Sequence, residues 1–159
     1  MSSATLPFVP MRPDSITLET TVGRVIVSVK IENYGDLWDL ERGRIAPAEV
    51  RAVAVDDALV DTGCSVIGLP ARFIKELDLR PLYTKPVRIA TGSRTTTVYS
   101  TVRLTIQGRS CSSDVFEVPD DIPVLIGQVP LEQLDFVVDP KSQKLIGNPA
   151  HGGEWVIEA

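Results

Sequence analysis

Histidine and cysteine are nearly missing from this sequence. His151 is the single histidine, and Cys64 and Cys111 are the two cysteines. With no close spacing among them, they make a poor zinc site, and no metal or other cofactor is expected. Two cysteines are also too few for a disulfide framework, which favours a reducing compartment. No apolar stretch approaches the roughly 20 residues that a spanning helix needs, so no membrane partner is expected. The first residues, Met1-Ser2-Ser3-Ala4-Thr5-Leu6-Pro7, lack the positive start and apolar run of a secretory signal. A cytoplasmic location is the expectation. No two of the 16 lysines and arginines are adjacent, and the net charge is −5. Nucleic acid is therefore not an expected partner, because binding phosphates needs a basic face. No Gly-rich phosphate loop of either common type is present.

What the chain has is length for one domain and enough apolar residues for a core, 43% of 159. Residues 1–14 hold Pro7, Pro10 and Pro13 and little periodicity, which reads as an N-terminal arm. A single domain over 15–159 follows. Strands are predicted at 16–22 and 24–31, where Val25, Val27, Val29 and Ile31 alternate at period two. Residues 33–48 are turn-rich and charged, which reads as a long surface connection with at most one helical turn. Strand character returns at 50–55, pauses at Asp56-Asp57 and resumes at 58–60.

Further on, 66–69 reads as a short strand, and Pro70 to Leu77 is the clearest helix, with Phe73, Ile74 and Leu77 at helical spacing. A hairpin is predicted from strands at 86–91 and 96–106, around the tip Thr91-Gly92-Ser93-Arg94. Other strands are expected at 114–118 and 124–127, with a helical turn at 131–134. A hairpin is expected across Asp139-Pro140-Lys141-Ser142, and a terminal strand over 154–158. Many short strands, one or two short helices and frequent Gly and Pro indicate an all-β domain of barrel type.

The segment richest in chemistry is Ala58-Leu59-Val60-Asp61-Thr62-Gly63-Cys64-Ser65. A carboxylate directly follows three apolar residues, and the chain then turns at Gly63. One reading is plain turn chemistry, since Asp-Thr-Gly caps local amides well. The other is an acid–base site at the end of a buried strand.

Asp61-Thr62-Gly63 with its apolar lead-in, and Leu125-Ile126-Gly127 far downstream, resemble the two hallmarks of the retropepsin-like aspartic proteases. The order of loop, helix, hairpin and apolar-apolar-Gly resembles that branch over residues 16–147. The resemblance implies a closed acid-protease barrel with one lobe per chain. It implies an aspartic endopeptidase that is a homodimer acting on polypeptide, because peptide hydrolysis without a metal or covalent nucleophile needs two carboxyl groups and the chain has one Asp-Thr-Gly. Two carboxyls ~3 Å apart share one proton and titrate as a pair.

In that resemblance Asp61, Thr62 and Gly63 are catalytic. Thr62 braces the paired loops, and Gly63 lets the substrate backbone approach. Cys64, Ser65, Thr91, Gly92 and Ser93 bind substrate, the last three from a flap. Leu125, Ile126 and Gly127 support the loop from beneath. The sequence departs from the family at Cys64, where a smaller residue is common. It departs also at the flap tip, with one Gly and a bulky Arg94, and at Gln128-Val129-Pro130. The alternatives are a catalytically inactive module of the same fold for pairing or peptide binding, and a cysteine hydrolase through Cys64 and His151. Locally, Cys64 reads as a small buried hydrophobe, His151 as an exposed loop residue, and Trp38 and Trp155 as packing or interface residues.

Overall fold

A computed structural model describes residues 24–159. The predicted arm at 1–14 and the predicted strand at 16–22 lie outside the described residues. β1 (Val25–Asn33) is built on the expected alternation: Val25, Val27, Val29 and Ile31 are buried, while Ser28 and Lys30 face outward. β2 (Ala52–Val60) pairs antiparallel with it, and the register slips between Val27 and Val29. That irregularity lets β2 run unbroken through Asp56 and Asp57, where the sequence predicts a pause.

The remaining strands are β3 (Ile67–Pro70), β4 (Pro81–Ile89), β5 (Gly92–Ile106), β6 (Arg109–Val118), β7 (Leu125–Ile126), β8 (Phe136–Asp139) and β9 (Lys144–Gly147). The first seven form one sheet in the order β1-β2-β7-β3-β6-β5-β4, and β5 also pairs with β1. The pairing circuit β1-β2-β7-β3-β6-β5 therefore returns to its start. β8 and β9 form the separate hairpin expected around residues 139–142. The core lies within the main sheet, with Ile31, Ile67, Leu69, Val102, Leu104, Val115 and Ile126 fully buried. Each such side chain contributes about 1.5–3 kcal/mol relative to exposure.

Three α-helices, rather than one or two, stand among the described residues: α1 (Tyr34–Glu41), α2 (Ala71–Glu76) and α3 (Gln128–Gln133). α1 replaces much of the connection expected at 33–48. It starts at Asn33, whose side chain accepts from the Asp36 amide at 3.2 Å and donates to the Leu77 carbonyl at 2.8 Å. Asp36 is buried and accepts from the Arg51 guanidinium at 2.7 and 2.8 Å, and Arg51 also reaches Asp78 at 2.6 Å. A second buried acid, Glu32, pairs with Arg103 at 2.8 Å. These bonds satisfy charges that would otherwise be costly to bury.

The hairpin also differs from its prediction. β4 begins at Pro81 and turns at residues 90–91, so Gly92 and Ser93 belong to β5 rather than to a tip. Pro81 and Pro86 bracket the first half of β4, which lies outside the predicted strand at 86–91. They are tolerated because β4 is the sheet's edge strand, where a missing N–H breaks no ladder on the outer side. No terminal strand forms over 154–158. There the Trp155 indole N–H donates to the Gln133 carbonyl at 3.1 Å, and Ile157 is 88% exposed. No helix of the described residues is long and apolar enough to cross a membrane.

Candidate functional site

Asp61 stands on the six-residue connection between β2 and β3, and β7 lies between those two strands. Ile126 is paired in parallel with Val60 and antiparallel with Ile67, the residues on either side of the loop. One fully buried residue thus ties both stems through its backbone. The Asp61 amide donates to the Ile126 carbonyl at 2.9 Å. Beyond Gly127 the chain enters α3. The amides of Gln128 and Val129, free of helical partners in the first turn, donate to the carbonyls of Cys64 and Ser65 at 2.8 and 3.0 Å.

The loop also closes on itself. The Cys64 amide donates to the Asp61 carbonyl at 3.0 Å, and the Gly63 amide to Asp61 Oδ1 at 3.0 Å. The Cys64 thiol donates to Asp61 Oδ2 at 3.4 Å. Burial, then the nearby charge of Asp61 and this hydrogen bond, push the Cys64 thiol up to about 12. It remains protonated at neutral pH, unlike a nucleophilic cysteine. The turn reading of Asp61 is visible here. The carboxylate does cap its own loop, yet it is only half-buried, and Thr62 and Gly63 are exposed beside it.

Gly63, Cys64, Ser65 and Val66 form one wall of a cleft of about 340 Å³. The opposite wall comes from the hairpin and β6: Tyr83, Lys85, Pro86, Val87, Arg88, Thr96, Val98, Asp114 and Phe116. Thr91, Gly92 and Ser93 are not among the lining residues. They lie at the exposed end of the hairpin, with Gly92 at φ 139°, a backbone setting that side chains oppose. Leu125, Ile126 and Gly127 sit under the loop, away from the cleft. The cleft residues of β4 were missed in the sequence, although Tyr83, Lys85 and Val87 alternate at period two.

His151 is not an exposed loop residue. Its Nδ1 lies 2.6 Å from buried Asp135 and its Nε2 2.7 Å from Glu158, so both ring nitrogens are engaged away from Cys64. Among the described residues, no group of three or more His, Cys, Asp or Glu is placed to hold a metal ion.

No protein-family description matches the sequence. No curated protein matches it either. Among solved structures, the chain is similar to the solution structure of simian foamy virus (mac) protease, at 20% identity and a TM-score of 0.44, covering 69% of this chain and 93% of that one. Neither value is high enough to place the chain in a family.

Proposed function

We propose that this chain is one subunit of a homodimeric aspartic endopeptidase. The observation that carries the reading is the Asp61 loop. Its stems and carbonyls are held by β7 and α3, while its carboxylate stays half-exposed, two residues before Gly63, where the lining of the cleft begins. A rigid support under an accessible carboxylate suits acid–base chemistry better than a turn alone requires. The return of strand pairing from β5 to β1 supports a closed barrel with one lobe per chain.

A two-fold axis beside Asp61 would bring its symmetry mate alongside, as an isologous interface does. One carboxylate takes a proton from water as the water oxygen attacks the peptide carbon. The other, protonated, donates to the carbonyl oxygen. The tetrahedral adduct then collapses: the protonated carboxyl gives its proton to the amine nitrogen, the C–N bond breaks, and one hydroxyl of the adduct returns its proton to the other carboxylate, so that the pair again shares one proton. Thr62, exposed beside Asp61, would brace the two loops, and Gly63 would admit the substrate backbone. Thr91, Gly92 and Ser93 would close over an extended peptide, which pairs with the hairpin as an added strand.

The test is cleavage of a mixed peptide library from about pH 3 to about pH 8, with wild type beside Asp61→Asn and the mass of each measured. Cleavage by a wild-type dimer, absent in the variant, is expected. A folded wild-type dimer that leaves every peptide intact would overturn the reading.

A further inference from the structure

Charge is unevenly distributed along the chain. From Leu79 to Ser113 there is no acidic residue, but there are six cations: Arg80, Lys85, Arg88, Arg94, Arg103 and Arg109. This run of +6 sits in a chain whose net charge is −5. Two of the six are engaged inside the domain. Arg103 pairs with Glu32, and Arg109 donates to the carbonyls of Leu134, Asp135 and Gly153. Lys85, Arg88 and Arg94 make no ion pair with any described residue.

The register shows which face carries Lys85 and Arg94. Tyr83 pairs with Val98 and Val98 with Phe116, while Lys85 pairs with Thr96 and Val87 with Arg94. Directly paired residues share a face of the sheet. The face that carries Tyr83, Val98 and Phe116 into the cleft therefore carries Lys85 as well; Arg94 shares that face beyond the lining, and Arg88 reaches the lining from the alternate face of β4. The inner end of the cleft is apolar and its hairpin side is cationic. Asp114 is the one acid in the lining.

Resting on the endopeptidase reading, we infer that the cleft selects acidic polypeptide: an extended segment with a Glu or Asp side chain beneath β4, near Lys85 and Arg88, and an apolar side chain against Val98 and Phe116. A carboxylate placed there meets two cations that have no ion-pair partner among the described residues. A substrate Lys at that position meets like charge, which discriminates through repulsion as much as through attraction.

The experiment uses a capped apolar peptide that carries Glu, Gln or Lys at each position in turn. Binding to the Asp61→Asn protein is measured by calorimetry, and cleavage by the wild type is measured on the same series. At one position the Glu peptide is expected to bind about tenfold more tightly than the Lys peptide in about 0.05 M salt, falling to about two- to threefold in about 0.5 M. Charge reversal by Lys85→Glu with Arg88→Glu should invert the order, and Lys85→Arg with Arg88→Lys should keep it. Equal binding of Glu and Lys peptides at every position, or an order unchanged by charge reversal, overturns the inference. Selective binding without wild-type cleavage would remove the endopeptidase reading and leave the acidic preference standing.

Discussion

Gly127 lies directly against the backbone of Val66. A Cβ added at Gly127 would stand 2.7 Å from the Val66 nitrogen and 2.7 Å from the Ser65 carbonyl carbon. The Val129 amide holds Ser65 through its carbonyl, and backbone atoms have no rotamer by which to yield. Gly127→Ala should therefore push the Asp61 loop from its place and cost at least about 1–3 kcal/mol. Thermal unfolding checks this. An unchanged Tm with full activity would show that the loop is not packed as described.

Asp61→Asn keeps the shape of the side chain and removes its acid. The fold should survive, since the amide oxygen still accepts from the Gly63 amide. Cleavage should fall by at least about 10²–10⁴-fold, the usual contribution of a positioned acid or base. Peptide turnover by the folded variant at the wild-type rate is the contrary result.

Arg51→Met leaves the buried Asp36 carboxylate without its guanidinium, whose hydrogen bond is the main cause that holds Asp36 below the ordinary carboxylate value. Denaturant unfolding should show a loss of roughly 3 kcal/mol, discounted from a fully buried pair because Arg51 is partly exposed. Adding Asp36→Leu should restore much of it, since the stranded charge is then gone.

The tail should respond to pH through His151. Hydrogen bonds to Glu158 and then to Asp135 raise the imidazole above 6.5. Burial pushes Asp135 up, but hydrogen bonds from His151, Asn148 and the Val156 amide outweigh it and hold the carboxylate below 3.8. The His151 contribution is complete below pH 6.5 and is lost as pH rises through its higher folded value. The Asp135 contribution is present above pH 3.8 and is lost as pH falls through its lower folded value. Arg109 holds the same tail through the Gly153 carbonyl and does not titrate in this range. Tail protection from amide exchange should thus be greatest between about pH 4 and about pH 6.5 and decline on the alkaline side. The same decline in His151→Asn would assign it elsewhere.

The sequence made the loop and its support legible as separate motifs, because Asp61-Thr62-Gly63 and Leu125-Ile126-Gly127 are each local patterns. Strands with a strict inward alternation, such as 25–31, were equally plain. What stayed hidden depends on distant partners. α1 has no strong apolar stripe, and its buried acid is satisfied by Arg51, 15 residues away. The strand predicted at 86–91 misses the first half of β4, where Pro81 and Pro86 punctuate the sequence, and its place at the sheet edge lets that half pair. His151 looked like part of a Gly-rich tail because Asp135 lies 16 residues upstream. Trp155-Val156-Ile157 has strand-forming residues, but among the described residues no strand is paired with it.

The position of β7 also sets an order of events as the chain is made. β2, the Asp61 loop and β3 are complete by residue 70, but the slot between the strands is filled only by Leu125 and Ile126. A nascent chain that has not yet emerged past α3 holds Asp61 on an unanchored connection. Assembly of the loop is thus a late, long-range step, of the kind that slows folding. It also keeps an unfinished chain from carrying a formed site.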